Sequence, residues 1–543
     1  MPRFAHTLFS ATLFCATLFA SSAAAQPAVG TDWKRGAVCY EVFVRSFYDS
    51  DGDGIGDLKG LTEKLDYIND GNPASRSDLG ARCIWLMPID ASPSYHGYDV
   101  KNYYRVNPDY GTNAEFKRLV AAAHKRGIKV LVDLVLNHAS SEHPFFKEAL
   151  RDTASPHRAW FRFSPTNPAV KGPWGQDVWH RSPIRDEYYY GIFTAEMPDL
   201  NYRNPAVRRE AENVARFWLQ EMGADGFRLD AVPYLVESGD SLAHTAGTHD
   251  MLREWSAYVR RIAPRAYTVG EVWDSVGAQL PYYPDQLDAY FVFEASDAIL
   301  DAVRMGSARN LLAPMLRLQR ALPADRWAPF LRNHDQTRTV TALGGDIARA
   351  KTAATLLLTL PGLPFVYYGE ELGMVGDKPD ERLRTPMQWT AARGAGFTHG
   401  FAWEPLQSDS LTANVQFESA DPASLLTLYR RLIHLRTAND ALAVGTLVPV
   451  EASTDAVAAY IRRTAGRAVL VLTNLGVVPL SNVSLSFAAG SLPAGSYVAV
   501  ELLDGPAAAA LHVGGDGAVG AYVPIPTLAP MGSYLLELRA ARH

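Results

Sequence analysis

The sequence predicts an α/β protein: a (β/α)8 TIM barrel with a subdomain inserted after the third strand and a C-terminal antiparallel β-sandwich domain. Three observations support this prediction. Eight short apolar runs alternate with helix-like stretches, one connection is far too long for a barrel loop, and the pattern changes towards the C-terminus. Eight strand–helix units are typical of a parallel barrel, whose active site lies at the carboxyl ends of the strands.

The eight runs are short and apolar, as buried parallel strands are. They cover residues 38–44, 83–87, 130–134, 226–229, 267–270, 289–293, 329–331 and 364–367. Several stretches between them have apolar residues at helical spacing and are predicted as amphipathic helices. These include residues 114–125, 205–222, 250–262 and 347–359.

Two further segments divide the chain into domains. Residues 138–198, rich in Trp, Tyr, Pro and Gly, are too many for a loop after the third strand, and they predict a subdomain beside the cleft. After a helical stretch at 424–437, apolar runs at 456–461 and 468–472 indicate an antiparallel sheet. The predicted boundaries are 26–137 and 199–440 for the barrel, 138–198 for the insertion and 441–543 for the C-terminal domain.

The first 25 residues have the pattern of a secretory signal peptide. Arg3 precedes an apolar run over residues 8–19, and small residues lead to a predicted cleavage point after Ala25. The run is shorter than the roughly 20 residues of a membrane-spanning helix, so no membrane anchor is predicted. We expect the mature protein to be secreted or periplasmic.

The size and charge of the chain narrow the classes of partner. With 543 residues, the chain has room for more than one structural unit. Its formal net charge is -6, with acidic and basic residues interspersed. This balance provides no basic face for nucleic acid and no polybasic patch for a membrane. The expected partner is a neutral polymer.

Cys39 and Cys83 each lie near the beginning of a predicted strand. Neighbouring strands would bring them together, and in an oxidising compartment they could form a disulfide. Two buried thiols are the alternative, which the sequence favours slightly because free cysteine is among the most buried residue types.

Three of the apolar runs lead into an acidic residue. Asp230 and Glu271 directly follow the fourth and fifth runs, and Asp335 follows the seventh. Because the carboxyl ends of barrel strands meet at one face, the three carboxylates are expected to converge. One such acid alone could be a solvated loop residue or a helix cap. Three in barrel order predict a site for glycosidic bond cleavage.

A retaining glycosidase needs an ionised carboxylate as nucleophile and a protonated carboxylic acid about 5 Å away. Asp230 and Glu271 suit these roles. Arg228 lies two residues before Asp230 on the same side of the strand, where its charge would hold Asp230 ionised and oriented. The charges of Asp230 and Asp335 would raise the pKa of Glu271, so that Glu271 keeps a proton near neutral pH.

Seven short segments, in order along the chain, carry a resemblance to a known family. They are Gly97-Tyr98-Asp99, residues 133–138, residues 197–201, residues 226–230, Gly270-Glu271, Asn333-His334-Asp335, and residues 362–364 leading into 368–370. From about residue 36 to residue 437 the chain resembles the alpha-amylase family, glycoside hydrolase family thirteen.

The resemblance implies a role for each candidate residue. Asp230 would be the nucleophile, Glu271 the acid/base, and Asp335 the group that binds sugar hydroxyls as the ring distorts. Tyr98 would stack on the sugar at the cleaved side. The same subsite would be lined by four further residues: Asp99, His138, Arg228 and His334.

Residues 49–57 form an acidic loop bent by glycines. Alternate oxygens on such a loop can surround a hard cation, as in the first half of an EF-hand. A true EF-hand is excluded, because its twelfth position requires a bidentate Glu and is Gly60 here. The alternative is a hydrated acidic turn, in which four unpaired acids so close together would be costly.

The acidic loop also resembles the calcium loop after the first strand in the oligosaccharide-cleaving branch of the family. That resemblance implies Ca2+ as a cofactor. Its implied ligands are the side chains of Asp49, Asp51, Asp53 and Asp57 and the carbonyl oxygen of Ile55. Asn137 and Asp199 match positions that hold a second calcium in many alpha-amylases, although some relatives lack that ion.

Six aromatic residues of the insertion have two interpretations. Aromatic faces can cover the apolar faces of pyranose rings, or the same residues can form the small core of the insertion. The sequence does not favour either. The six residues are Trp174, Trp179, Tyr188, Tyr189, Tyr190 and Phe193.

Hydrolysis of internal alpha-1,4 bonds in starch and maltooligosaccharides is the predicted activity. Ala231 follows the nucleophile, where strict alpha-1,6 enzymes resemble one another in having Val. His96 looks like the amylase arrangement, and Met197 replaces the Gln typical of oligo-1,6-glucosidases. In contrast, the acidic loop and residues 384–389 look like the oligo-1,6-glucosidase and trehalose synthase side of the family.

Other activities within the same chemistry stay open. They are those of an alpha-glucosidase, a maltodextrin-cleaving enzyme and an alpha-glucan transglycosylase. A catalytically inactive sugar carrier or interaction subunit is a different class of protein. Such relatives generally lack one or more of the three acids, all of which this chain has.

Overall fold

The computed structural model of the protein describes Met1 and residues 32–541. Residues 2–25 of the predicted signal peptide, including its cleavage point, lie outside the described residues. None of the helices in the described part of the chain has both the length and the apolar character needed to cross a bilayer.

Eight parallel strands form one sheet, and their spatial order follows the chain. They are Cys39–Val42, Cys83–Leu86, Lys129–Leu134, Gly226–Leu229, Tyr267–Gly270, Ala289–Phe291, Trp327–Ala328 and Phe365–Tyr367. The eighth strand pairs with the first. Two backbone hydrogen bonds, rather than a full ladder, join the seventh and eighth: Leu363 N–H to Trp327 O (2.8 Å) and Phe365 N–H to Pro329 O (2.9 Å). The predicted barrel is confirmed.

The seventh strand begins and ends earlier than predicted. The apolar run at 329–331 predicts a strand there, whereas the regular pairing covers Trp327–Ala328. Pro329 has no N–H to donate, so the ladder cannot continue through it. A bend at Leu331 and a turn at His334 and Asp335 follow.

Long helices surround the barrel. They are Asn113–Lys125, Pro205–Arg216, Ala246–Ile262, Phe293–Met305, Ala313–Ala321, Ile347–Thr359 and Leu425–Ala438. The first begins with a capping box in which Thr112 and Glu115 satisfy each other's backbone N–H groups. The predicted helix at 205–222 is α-helical only to Arg216 and continues as a π-helix over Phe217–Glu221.

Shorter helices connect these elements. The α-helical ones are Val44–Phe47, Leu58–Glu63, Leu65–Ile68, Pro144–Arg151, Val276–Gln279, Thr339–Ala342, Asp380–Leu383, Val415–Ala420 and Asp440–Val444. The 3-10 turns are Arg158–Trp160, Val232–Tyr234, Leu280–Tyr282, Ala324–Arg326, Glu370–Leu372 and Arg393–Gly396.

Aromatic side chains fill the barrel interior. Phe291 packs against Trp85 (ring centroids 5.4 Å apart), Phe365 (4.9 Å) and Phe330 (5.6 Å). These rings are buried and come from different parts of the barrel wall. They form a rigid floor below the carboxyl ends of the strands, on which polar side chains can be held in place.

The insertion after the third strand contains a three-stranded antiparallel sheet. Its strands are Phe163–Ser164, Trp179–Arg181 and Tyr188–Tyr190. A small core of Val178, Tyr190 and Ile192 lies beneath them. A backbone hydrogen bond from Ala139 N–H to Pro198 O (3.0 Å) joins the two ends of the insertion to each other.

The chain ends in antiparallel sheets, as predicted. The larger sheet has the order Thr446–Pro449, Val457–Arg463, Ala468–Asn474, Ser533–Ala540, Gly495–Glu501 and Leu511–Val513. In one smaller sheet, Leu485–Phe487 is the central strand between Glu451–Ala452 and Val519–Tyr522. In another, Leu480–Ser481 pairs with Thr527–Leu528. Ile461, Leu470 and Leu485 lie in one apolar core between these sheets. Near the barrel, Asp90–Ala91 pairs with Asn102–Val106.

Cys39 and Cys83 are joined by a disulfide bond. The two residues stand directly opposite each other at the starts of the first two strands, with Cα atoms 4.3 Å apart. The expectation of two buried thiols, which the sequence favoured, is therefore wrong. The sequence alone does not give the register of the first two strands, which brings the two sulfur atoms together.

Replacing both cysteines, in Cys39→Ala/Cys83→Ala, should lower the free energy of unfolding by about 2–4 kcal/mol, because the bridge closes a loop with a sequence separation of 44. Thermal unfolding at a fixed scan rate measures the effect. Reductant should lower the melting temperature of the wild type towards that of the double variant and leave the variant unchanged. Equal melting temperatures for the oxidised wild type and the variant would contradict the prediction.

Candidate active site

A cavity of about 560 Å³ opens at the carboxyl ends of the barrel strands. Its walls come from the barrel, from the insertion and from the loop after the eighth strand. The lining residues are His96, Tyr98, His138, Trp174, Phe193, Thr194, Met197, Asp230, Ala231, Pro233, Tyr234, Glu271, Trp273, Asp335, Lys378, Asp380 and Arg384. The volume is in the usual range for a ligand pocket.

The three carboxylates expected to converge all line this cavity. Asp230 and Glu271 are the first residues after the fourth and fifth strands, so their side chains emerge at the barrel rim. Asp335 reaches the cavity differently, from the bend after the seventh strand. Its backbone N–H donates to Asn333 Oδ1 (3.1 Å), which holds that bend.

Arg228 holds the acidic groups at the cavity floor. Its Nη1 donates to Asp230 Oδ1 (2.6 Å) and to Asp133 Oδ1 (3.1 Å), and its Nη2 donates to Glu271 Oε2 (2.6 Å). One planar guanidinium thus orients Asp230 and Glu271 side by side. This arrangement suits the separation of about 5–5.5 Å in retaining glycosidases better than the wider one of inverting enzymes.

Ala231 has an unusual backbone conformation next to Asp230. Its φ of 49° and ψ of 35° lie in the left-handed region, which costs about 1–2 kcal/mol for a residue with a Cβ. The turn directs the Ala231 N–H towards Glu271 Oε2 at 3.3 Å. The backbone therefore adds a second donor to the oxygen that Arg228 binds.

Tyr98 and His334 extend the network across the floor. The Tyr98 hydroxyl lies 2.6 Å from His334 Nε2 and donates to Asp133 Oδ2 at 3.1 Å. The two rings are stacked, with centroids 5.5 Å apart. Trp85, from the barrel interior, donates its indole N–H to the same Asp133 oxygen at 3.2 Å. Asp133 lies in a family segment, but the sequence analysis assigned it no role.

His138 and Asp99 occupy different positions. His138 lines the cavity, and its Nε2 lies 3.1 Å from the backbone oxygen of Tyr98. Asp99 is buried beside the cavity, where Oδ1 accepts hydrogen bonds from Ser92 Oγ (2.7 Å) and from Ser94 Oγ. Asp99 is not among the lining residues, and in this structure its contacts support the loop that carries Tyr98.

Asp335 is bound from two sides. His334 Nε2 lies 3.1 Å from Oδ2, and Arg384 Nη2 donates to Oδ1 at 2.9 Å. Burial alone would raise the pKa of Asp335, but His334 and then Arg384 outweigh it, so the pKa lies well below its usual range. Asp335 is therefore ionised throughout the neutral range. Arg384 is a site residue that the sequence analysis did not select.

The acidic loop brings three of its four aspartates together. One carboxylate oxygen each from Asp49, Asp51 and Asp57 lies within 4.8 Å of the others. Two oxygens on opposite sides of Ca2+, with Ca–O distances of about 2.3–2.6 Å, would be separated by about the same amount. Asp53 is outside this group, and its Oδ1 accepts the N–H of Ile55 at 2.7 Å.

Local backbone constraints shape the acidic loop. At Gly54, where φ is 95°, a Cβ would lie 1.9 Å from the carbonyl oxygen of Phe401, so only glycine fits. Asp49 accepts hydrogen bonds from the N–H groups of Gly52 (2.7 Å) and Gly54 (2.8 Å). The clustered hard oxygens fit a hard cation such as Ca2+.

Asn137 and Asp199 meet where the insertion joins the barrel. His138 and Asp199 form an isolated bridge there. Asn137 Oδ1 and Asp199 Oδ2 are both buried and have no hydrogen-bond partner among the described residues. Burial and then the charge of Glu237 raise the pKa of Asp199 well above its usual value. These oxygens fit either a second hard cation or a proton on Asp199.

The aromatic residues of the insertion divide between the two interpretations. Trp174 and Phe193 line the cavity and stack on each other, with ring centroids 5.5 Å apart. Tyr189 and Tyr190 are buried in the insertion. Trp273, which the sequence analysis did not select, also lines the cavity and stacks on Phe293 with centroids 4.7 Å apart.

A family model described as the alpha-amylase catalytic domain matches residues 41–445, which include every barrel strand from the second to the eighth and half of the first. The chain belongs to the alpha-amylase family. It is an enzyme of the glycoside hydrolase and transglycosylase class, acting on carbohydrate.

Curated members of the alpha-amylase family similar to this chain carry several activities in their names. Alpha-amylase 3 of Dictyoglomus thermophilum is 38% identical over 448 residues, covering 82% of this chain and 85% of the relative. The trehalose synthase/amylase TreS of Mycolicibacterium smegmatis is 35% identical over 490 residues, covering 80% and 81%. The oligo-1,6-glucosidase of Parageobacillus thermoglucosidasius is 32% identical over 520 residues, covering 81% and 90%.

Solved structures of family members agree with the fold. The alpha-amylase from H. orenii superimposes with a TM-score of 0.80 at 37% identity, covering 93% of this chain and all of the other. The trehalulose synthase MutB from Pseudomonas mesoacidophila gives a TM-score of 0.78 at 29% identity, covering 94% of this chain and all of the other. The family is therefore established, while its members differ in activity.

Glu271 has the electrostatic surroundings of a carboxylic acid that retains its proton. Burial is the main cause that raises its pKa, the charges of Asp230 and Asp335 add to it, and Arg228 opposes it, giving a value of about 7. The sequence predicts this shift from the neighbouring charges, whereas burial contributes most. Burial also raises the pKa of Asp133 to about 7 against the effect of Arg228.

Asp230→Asn should lower the pKa of Glu271 below about 7, because it removes a negative charge that now disfavours ionisation. Infrared difference titration of the carboxyl band, with Glu271→Gln to assign the signal, measures that pKa. Asp335→Asn should lower it less, since the charge of Asp230 has the larger effect on Glu271. An unchanged or higher pKa in Asp230→Asn would contradict this electrostatic account.

Proposed function

We propose that the protein is a secreted alpha-amylase that hydrolyses internal alpha-1,4-glucosidic bonds of starch and maltooligosaccharides with retention of configuration. One observation carries the choice within the family. The three residues whose identities favour an amylase, His96, Met197 and Ala231, all line the cavity that contains the acidic groups. Their side chains are therefore able to contact substrate, which is where specificity is decided.

In the first chemical step, Asp230 attacks the anomeric carbon while Glu271 donates its proton to the leaving glycosidic oxygen. The hydrogen bond from Arg228 to Asp230 (2.6 Å) aligns the nucleophile. Glu271, with a pKa of about 7, still holds a proton at mildly acidic pH. Proton donation therefore weakens as the pH rises through about 7.

In the second step, water replaces the leaving sugar and Glu271 becomes the base. Once Asp230 is esterified, its negative charge is lost, and the pKa of Glu271 falls. The deprotonated Glu271 then removes a proton from water, which attacks the anomeric carbon and releases Asp230. Glu271 acts first as an acid and then as a base, because Asp230 loses its charge between the two steps.

The remaining residues bind the sugar ring. Asp335, held ionised by His334 and Arg384, would accept hydrogen bonds from ring hydroxyls that strengthen in the transition state. Tyr98 would stack on the ring, and His138 would donate to it once its Nε2–H leaves the Tyr98 carbonyl oxygen, 3.1 Å away. Asp99, whose Oδ1 is bound by two serine hydroxyls, would join them through a change in those contacts.

Two indole rings support cleavage within a long chain. Trp174 and Trp273 line the cavity while 62% and 54% of their surfaces stay exposed. Exposed tryptophans are unusual on a soluble protein, and each is supported from behind by a phenylalanine ring. Such rings would stack on glucose units beyond the cleaved bond, as an internal cut requires.

A second candidate function has its own support. Lys378, Asp380 and Arg384 line the same cavity, and Arg384 begins the segment 384–389 that looks like the oligo-1,6-glucosidase and trehalose synthase side of the family. The alternatives are an alpha-glucosidase, a maltodextrin-cleaving enzyme or a transglycosylase. An inactive binding subunit is disfavoured, because all three acids are present and converge.

We also propose that the acidic loop binds Ca2+ through Asp49, Asp51 and Asp57. Asp53 and the carbonyl of Ile55 would complete the shell after a small rearrangement of the loop. A calcium ion there would neutralise the clustered charges and stabilise the loop after the first strand. Export to a secreted or periplasmic location is supported by the Cys39–Cys83 disulfide, since such bonds persist in oxidising compartments.

With soluble starch, the viscosity should fall early, and mixed maltooligosaccharides should appear before glucose, because internal bonds are cut first. Chromatography of products from amylose, pullulan and maltotriose follows the time course. Glu271→Gln is the control for contamination: it keeps the side-chain shape and should lose about 100- to 10,000-fold of the activity. Glucose as the sole early product, or trehalose from maltose, would favour the alternative functions.

Removal of calcium should lower the melting temperature, because an ion that binds only the folded state stabilises it by mass action. Unfolding is followed with chelator, with added Ca2+ and with added Mg2+. Asp51→Asn is the matched variant, since Asp51 is exposed and does not line the cavity. A calcium-dependent shift of the same size in Asp51→Asn, or none in the wild type, would contradict the site.

A further inference from the structure

His334 is fully buried under the cavity, and both of its ring nitrogens face acidic partners. Nδ1 lies 2.6 Å from Glu41 Oε1, and Nε2 lies 2.6 Å from the Tyr98 hydroxyl and 3.1 Å from Asp335 Oδ2. An ionised carboxylate only accepts hydrogen bonds, and a neutral imidazole has a single N–H to donate. The one proton of the Tyr98 hydroxyl is donated to Asp133 Oδ2, so Nε2 needs a proton of its own, and the ring carries one on each nitrogen.

We infer that Glu41 is a positioning residue for catalysis: it keeps His334 doubly protonated, and the resulting imidazolium holds Asp335 ionised and oriented towards the sugar. This inference rests on the proposed role of Asp335 in binding the sugar. Glu41 does not line the cavity, so it acts only through His334. Nothing in the sequence pattern marks Glu41, because it lies inside the first strand rather than at its end.

The position of Glu41 has no simpler structural explanation. It is only 2% exposed and lies in the middle of a barrel strand, where an apolar side chain would be expected. Burying a carboxylate costs free energy unless a partner compensates for it. Its side chain contacts His334, across the barrel interior and 293 residues away in the sequence.

The charges around His334 favour the imidazolium. Burial lowers its pKa, but Asp335 and then Glu41 outweigh burial and raise the pKa to about 9. His334 is therefore charged below about pH 9 and loses its charge above it. Without Glu41, burial would regain weight, and the charge would be lost at lower pH.

Groups of both signs face this pair from the elements packed around it. They are Tyr98 after the second strand, Asp133 in the third, Arg228 in the fourth, Glu271 after the fifth, Asp335 after the seventh, Tyr367 in the eighth and Arg384 beyond it. Asp335 is ionised throughout the neutral range and lies next to the ring, so it is the acidic group of this set that most favours a charged His334.

Glu371 offers a matched comparison for Glu41. It is equally buried and accepts hydrogen bonds from the hydroxyls of Tyr40 and Tyr67, each at 2.6 Å. Tyr40 is the neighbour of Glu41 in the first strand. Glu371 contacts no lining residue of the cavity in these bonds, so Glu371→Gln makes the same chemical change without touching His334.

The first experiment uses the wild-type protein without substrate. Selective labelling of the 14 histidine rings for NMR, with His334→Asn to assign the signal, measures the ionisation of His334 directly. We expect both ring nitrogens to be protonated from pH 6 to pH 8. A neutral His334 in that range, with the proton on Glu41, would overturn the inference whether or not the variants fold.

The second experiment compares Glu41→Gln with Glu371→Gln. In Glu41→Gln we expect the pKa of His334 to fall. At pH 7, kcat should drop about 10- to 100-fold, as is typical when the hydrogen-bond partner of an active-site ligand is removed. At pH 5, where His334 regains its charge, part of kcat should return. KM should change less than kcat. Glu371→Gln should keep the wild-type pH profile.

The outcomes separate the inference from the proposed function. An equal loss of kcat at every pH in Glu41→Gln, with His334 titrating as in the wild type, would reduce Glu41 to a packing role and overturn the inference. A protein that prefers another alpha-glucoside to starch would overturn the proposed specificity only. The pH profiles would then be measured with that substrate, and the NMR result would be unaffected.

Discussion

The buried guanidinium of Arg228 is the interaction on which the site depends. Asp230, Glu271 and Asp133 could not share so small a volume without a fixed positive charge between them. Arg228 supplies that charge without a proton equilibrium of its own and donates to all three. Its position is set in turn by the aromatic floor, where its guanidinium lies 5.1 Å from the Trp85 ring. Packing in the barrel thus determines the electrostatics of the cavity.

Much of this arrangement could be predicted from local sequence. The strands appear as apolar runs, and Asp230 and Glu271 are legible because each directly follows one. Long-range contacts carry no such signal. Arg384 reaches Asp335 across 49 residues, and Glu41 reaches His334 across 293, so only the closed barrel brings these pairs together. The sequence favours two thiols over the disulfide for the same reason, since the disulfide depends on the register of two strands.

The walls of the cavity were the least predictable part. Trp174 and Tyr190 come from the same aromatic-rich insertion, yet one lines the cavity and the other is buried in the insertion's own core. Composition cannot separate them, since stacking on sugar and packing in a core use the same side chains. The chemistry of the family is therefore easier to derive than the identity of the glucan.

The seventh and eighth barrel strands are joined partly by side chains. Two backbone hydrogen bonds join these strands, whereas the other neighbouring barrel strands pair in a regular ladder. The ion pair of Asp335 with Arg384 spans the same gap, since Asp335 lies after the seventh strand and Arg384 lies after the eighth. The pair therefore joins the segments that follow these two strands, and Asp335 faces the cavity at the same point.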